Sequence, residues 1–131
     1  MSELGLEQLE QWLAGYKHSW EKQDVDAFVS LYTDDAVYVD RPFSEPVQAR
    51  DFHRFWTELA TRQAQNHIEF EVLGVNGPVG IAHFRANYYR TTTGEHRTGD
   101  GIFVLSFDES GRCRVFREWQ HWYPVDGKPA R

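Results

Sequence analysis

Asp40 is the residue whose setting most suggests chemistry. It ends the strand within the run Leu31 to Phe43, which reads as a helix end, an acidic turn around Asp34 and Asp35, and a short strand. An Arg41-Pro42 step follows, then Pro46, and proline drives the residue before it out of the helical region. The carboxylate is therefore expected at a strand end, next to an aromatic-rich helix, where a pocket can acquire an acid at its mouth. Two other residues invite the same question. Tyr16 lies on one helical stripe with Leu9, Leu13 and Trp20, so its ring points inward and its hydroxyl needs a partner. That partner is either a ligand oxygen or a backbone carbonyl. Glu118 lies on a strand that alternates Phe116, Glu118, Gln120 and Trp122 against Val115, Arg117, Trp119 and His121. An inward glutamate among aromatics would be a second acid. Both sets mix polar and aromatic residues, so a one-residue slip would bring Arg117 and His121 inside instead. In the plainer alternative, Glu118 pairs with an arginine such as Arg85.

Other chemistries find less support. The six histidines, His18, His53, His67, His83, His96 and His121, lack the helical or strand pairing with acids that a metal site uses. No glycine-rich phosphate loop stands between a strand and a helix; Gly99-Asp100-Gly101 is a strand element. Serine and cysteine lack nucleophile settings. The sequence predicts no metal, no nucleotide and no other cofactor.

The elements that position these residues follow from periodicity. Residues 3 to 22 read as an amphipathic helix with Leu6, Leu9, Leu13, Tyr16 and Trp20 at three- and four-residue steps. Asp24 is a good N-cap for a second helix, Val25 to Tyr32. Ala36 to Asp40 is a strand, the segment with Pro42 and Pro46 is extended, and Arg50 to Gln63 is a third helix. Four β-rich runs follow, His67 to Asn76, Val79 to Thr91, His96 to Phe107 and Arg112 to Tyr123, with turn chemistry at Asn76-Gly77-Pro78, Thr93-Gly94-Glu95 and Asp108 to Gly111. The order predicts one α+β domain over residues 1–131, three helices on one face of a curved, mostly antiparallel sheet, with 124–131 a flexible tail. In the third run, Gly99, Gly101, Phe103, Leu105 and Phe107 share one face while Ile102 and Val104 occupy the other. A strand apolar on both faces is covered on both, so a homodimer through the outer sheet face is expected.

Composition narrows the partners. The chain has 131 residues and a net charge of −6, which disfavours nucleic acid and anionic membranes. Five Trp, six Tyr and nine Phe are many for this length and suit either a rigid-walled cavity or simply an aromatic core. The single Cys113 allows no intrachain disulfide, and no basic leader or membrane-length apolar stretch is present, so a cytoplasmic location is expected.

The order and spacing of these elements resemble the nuclear transport factor 2-like superfamily, in particular its SnoaL-like branch. The resemblance spans nearly the whole chain. It rests on the aromatics of the first helix, on Asp24-Val25-Asp26-Ala27-Phe28 leading to Leu31-Tyr32-Thr33-Asp34-Asp35-Ala36, on Gly101 to Phe107, and on the last strand after Gly111. It implies a cone with an internal pocket, and in many members a dimer. A more distant similarity to ketosteroid isomerase places Asp40 on that enzyme's base and Tyr16 on its oxyanion donor. Phe103 stands where the second donor would be, and a phenyl ring cannot donate. Steroid isomerisation is thus not expected.

The resemblance implies that Phe116, Glu118, Gln120 and Trp122 face the cavity. Asp40 walled by Trp20, Phe55 and Phe84 would lose hydration, which favours its neutral form and suits it to proton transfer. In the alternative it is a solvated loop acid paired with Arg41, which depresses its pKa. The resulting expectation is a small-molecule-binding protein, read as a cofactor-independent isomerase, cyclase or dehydratase that moves a proton next to a carbonyl. Asp40, Tyr16 and Glu118 would act, with Trp20, Phe55, Phe84, Phe103, Phe116 and Gln120 holding a small apolar or carbonyl-containing molecule. The rival expectation is a non-catalytic ligand-binding or dimerisation protein of the same fold.

Overall fold

Six strands form one curved sheet in the spatial order β2-β1-β6-β5-β4-β3, and three helices lie across its concave side. The structure is a computed structural model and describes residues 4–125. In chain order the elements are α1 (Leu6–Glu21), α2 (Val25–Ser30), β1 (Tyr32–Val39), β2 (Val47–Gln48), a 3-10 turn (Ala49–Asp51), α3 (Phe52–Thr61), β3 (Gln63–Asn76), β4 (Val79–Arg90), β5 (His96–Phe107) and β6 (Cys113–Tyr123). β3 to β6 form the antiparallel meander expected from their turns, whereas β1 joins β6 in parallel and makes the sheet mixed. The two-residue β2 completes the far edge beside β1.

The helices start and stop where local chemistry dictates. Asp24 accepts a hydrogen bond from the Ala27 amide at 3.0 Å and caps α2. Gln23, in the left-handed region at φ 54°, ends α1, and its amide donates to the carbonyls of Ala60 and Gln63. The third helix is shorter than its periodicity suggests because its first turn is 3-10 and β3 already begins at Gln63. Of the tail, Pro124 is buried; residues 126–131 lie outside the described part.

Leu9, Trp12, Leu13, Tyr16 and Trp20 of α1 are buried on the sheet. Polar contacts fix how this helix lies. Lys17 Nζ donates to the Ile68 carbonyl at 2.7 Å, and Glu21 accepts the Ile68 amide at 2.9 Å. Both grip β3 just after a bulge at 64–67, where strand pairing is interrupted and these backbone groups become available to side chains. At the other end of the contact, Trp12 Nε1 donates to the Leu31 carbonyl at 2.9 Å.

The outer sheet face is mixed. Ile102, Val104 and Val115 are half-buried there, Trp119 is exposed, and His83 and Arg85 both reach Asp100, at 2.9 and 3.1 Å. On the inner face the strands approach their neighbours' side chains closely. A methyl group added at Gly101 would lie 2.1 Å from the Trp119 carbonyl oxygen and 2.7 Å from the Phe84 ring. Gly101→Ala is therefore expected to cost about 1–3 kcal/mol, while Gly74→Ala, with nothing within 4 Å of the new methyl, stays within about 0.5 kcal/mol of the wild type. Urea denaturation of the two variants measures the difference.

Candidate functional site

A cavity of about 460 Å³ opens between the inner sheet face, α1 and α3. Its aromatic walls come from α1 (Tyr16, Trp20), α3 (Phe55) and the sheet (Phe84, Tyr88, Phe103). Asp40, Glu118 and Gln120 line it too. Phe116 does not. It is fully buried one layer deeper, its ring stacked on Tyr38 at 4.2 Å and on Tyr16 at 5.9 Å, where it supports the wall.

Sheet register brings the two acids together. β1 and β6 run parallel with Tyr38 opposite Phe116 and Val39 opposite Arg117. One step further along the same register sets Asp40 beside Glu118. On the other side of β6, Glu118 lies opposite Phe103 of β5. From Phe116 onward the even-numbered residues of β6 point inward, with Phe116 and Glu118 buried and Arg117 exposed; His121, also exposed, contributes only to the rim.

The environments of the two carboxyls differ. Glu118 is 7% exposed, and its carboxyl is held well above the usual carboxylate range. Burial is the main cause and the charge of Asp40 adds to it, against the opposing pull of Arg41. The Asp40 side chain is 29% exposed, with Arg41 Nε at 3.8 Å. Gln120 Nε2 donates to the Asp40 backbone carbonyl, and Trp122 Nε1 donates in turn to Gln120 Oε1. Gln120 thus ties the end of β1 to β6.

Tyr16 is buried and its hydroxyl meets that of Tyr38. Burial pushes the Tyr16 phenol well above its ordinary value, and Glu118 and Asp40 push it further, against the hydrogen bond with Tyr38. Tyr38 is raised as well, first by burial and then by Tyr16 and Glu118. Both phenols keep their protons and remain hydrogen-bond donors. Trp20 Nε1 donates to Gln63 Oε1 at 3.0 Å, which fixes one wall.

Sequence reasoning missed Tyr38, Arg97 and Gln63. Tyr38 was open to discovery, since it is two residues before Asp40 and shares its face of β1. Arg97 also carried a signal: it continues the buried parity of Gly99, Gly101 and Phe103 along β5. Nothing local marks Gln63. Among the described residues, no group of three or more His, Cys, Asp or Glu side chains is placed to hold a metal ion, and no helix is long and apolar enough to cross a membrane.

The sequence matches the model of the SnoaL-like domain over residues 10–116. The chain belongs to the SnoaL-like family. Its fold is the α+β cone of the nuclear transport factor 2-like superfamily, with a mixed sheet that does not close. Two solved structures similar to this SnoaL-like chain are enzymes. One is SalBIII, described as an epoxide hydrolase/cyclase-like enzyme with a role in pyran ring formation in the polyether salinomycin. It has a TM-score of 0.74 and 18% identity, over 86% of this chain and 89% of that one. The other is an LEH-like epoxide hydrolase of M. tuberculosis, with a TM-score of 0.72 and 13% identity, over 87% of this chain and 83% of that one. At such identities the likeness establishes the shared fold. No curated protein matches the sequence.

The raised pKa of Glu118 has a measurable consequence for the SnoaL-like domain. The folded state holds this proton more tightly than the unfolded chain, so stability is full below the ordinary glutamate value near 4.5 and declines as pH rises towards the folded value. Glu118→Gln removes that decline. The variant is expected to melt above the wild type at neutral pH, with a gap that widens as pH is raised from about 4.5. Parallel thermal melts across pH would show it, and a constant gap would mean that Glu118 ionises normally.

Proposed function

We propose that this protein is an acid–base enzyme, an isomerase or cyclase, acting on a small, largely apolar molecule that carries a polarised oxygen. One observation carries the reading: two carboxyls on neighbouring strands share a single cavity, and burial raises the pKa of one of them, Glu118, well above the usual carboxylate range. Two carboxyls side by side, one of them buried so that it holds its proton more tightly, are what a concerted proton transfer requires. Asp40 removes a proton next to a carbonyl. The electron pair moves to the carbonyl oxygen, where a phenol from the Tyr16–Tyr38 pair donates a hydrogen bond to the developing enolate. Glu118 supplies a proton at the second position, and the two carboxyls then exchange a proton to reset. The aromatic walls exclude water and hold the substrate's apolar body. No cofactor enters this scheme.

A second reading uses the same pair and is favoured by the names of the two similar structures. Glu118 protonates an epoxide oxygen as its C–O bond breaks. Asp40 meanwhile accepts the proton of the hydroxyl that attacks the carbon, which closes a ring if that hydroxyl belongs to the same molecule. In both readings Glu118 must hold its proton, so activity declines as pH rises through its folded value.

A panel of enolisable ketones in deuterium oxide and a panel of epoxides, both followed by NMR, separate the two. Asp40→Asn and Glu118→Gln are each expected to lower turnover by roughly 10²–10⁴-fold without loss of fold. Activity retained in both variants would exclude the carboxyl pair. No turnover in either panel, with a small molecule retained in native mass spectrometry, would favour a non-catalytic binding protein.

The protein is further proposed to act as a homodimer, joined through the outer sheet face around Trp119, which is 43% exposed. Sedimentation at micromolar concentration should give a dimer for the wild type and a monomer for Trp119→Glu. A monomeric wild type would remove the proposal.

A further inference from the structure

The mechanism proposed above uses one part of the cavity and leaves unexplained the groups at its other end, on β4, β5 and β6. There Arg97, Arg90 and Trp122 line the same space. Arg97 is only 4% exposed, and a charge so far from water is costly unless other groups compensate it. Its Cζ lies 5.9 Å from the centre of the Trp122 ring, a cation–π distance. Trp122 can lie flat against β5 because residue 99 is glycine: a methyl there would be 2.7 Å from the indole. Glu95 approaches both cations, 3.7 Å from Arg90 and 3.9 Å from Arg97.

The charge balance of the cavity runs against that of the molecule. The chain carries −6 overall, yet the lining holds three arginines, Arg41, Arg90 and Arg97, against the carboxyls of Asp40 and Glu118, with Glu95 approaching Arg90 and Arg97 from outside that lining. Burial raises the pKa of Glu118 well above the usual carboxylate range and so disfavours its negative charge. A low-dielectric cleft with a surplus of fixed cations attracts anions. Position matters as well. Glu118 is opposite Phe103 on β5, and Arg97 is six residues back along that strand, roughly 20 Å of backbone. Between them run Gln120, bonded to the Asp40 carbonyl, and Trp122, bonded to Gln120.

We propose that Arg97, with Arg90 beside it, is the recognition group for an anionic substituent, so that the substrate is a small amphipathic acid bearing a carboxylate away from the Asp40–Glu118 pair. This deepens the proposed function and rests on its reading of the cavity as the binding site. Both arginines are already engaged with protein groups. An incoming carboxylate joins or replaces those partners, for which a planar guanidinium with five N–H donors is suited.

The test uses 2-naphthoate and 2-naphthamide, matched in shape and different in charge, titrated into the full chain by calorimetry. Wild type is expected to bind the naphthoate at least roughly tenfold more tightly, with the gap shrinking as salt is raised. Arg97→Gln should close most of the gap by weakening naphthoate far more than naphthamide, and Arg97→Lys should retain part of it. If Arg97→Gln does not fold, nitrogen-15 spectra of the wild type decide. The naphthoate should then shift the Arg97 Nε–H and Trp122 indole signals, and the amide should leave Arg97 in place. Equal affinity for the two ligands, no naphthoate binding at millimolar concentration, an unchanged preference in Arg97→Gln, or an unmoved Arg97 signal each overturns the proposal. Turnover is scored separately. A carboxylate preference without turnover of ketones or epoxides retains the anion site and removes the enzyme reading. Turnover of neutral substrates with no carboxylate preference does the reverse.

Discussion

The parallel pairing of β1 with β6 is the constraint on which the site depends. Parallel strands cannot be joined by a tight turn, so β1 reaches β6 only after the chain has passed through β2, α3 and the whole meander. The pairing is seeded at its start, where the Cys113 amide donates to the Leu31 carbonyl at 2.9 Å. It is tied at its end by Gln120 bonding to Asp40. Between these points the register fixes which side chains are neighbours. A slip of one residue would send Glu118 to the outer face and Arg117 into the cavity.

Aromatic packing keeps this cavity from collapsing. Tyr16 contacts Trp56 at 5.6 Å, Phe103 at 5.1 Å and Phe116 at 5.9 Å, so its ring is fixed on several sides. Phe116 in turn stacks on Tyr38. Flat, rigid rings with few rotatable bonds span the space between sheet and helices and leave a gap that flexible aliphatic chains would tend to fill. The same packing removes water from Glu118. Its buried carboxyl destabilises the fold at neutral pH, and such a cost commonly accompanies a functional site.

Much of the architecture was legible in the chain. The stripe from Leu9 to Trp20, the Asp24 cap and the three turns of the meander are local signals, and the elements formed where those signals lie. The misjudged boundaries have physical reasons. The third helix starts with a 3-10 turn, and β3 begins early because the bulge at 64–67 lets Gln63 and Ala64 pair with Arg90 and Tyr89. β2 is two residues long and exists only because β1 is beside it. The placement of Asp40 at a strand end, with Tyr16 inward, also followed from proline chemistry and helical spacing.

By itself, then, the sequence determined the elements, their order, and the residue types able to do acid–base chemistry, because propensity, capping and periodicity act over a few residues. Tertiary structure decided which of those residues meet. The parity of β6, the partnership of Asp40 with Glu118, the retreat of Phe116 behind Tyr16, and the entry of Tyr38 and Arg97 into the lining all depend on strand register and on how α1 lies across the sheet. Those are contacts between residues as many as 100 positions apart, as for Tyr16 and Phe116, and no local pattern records them.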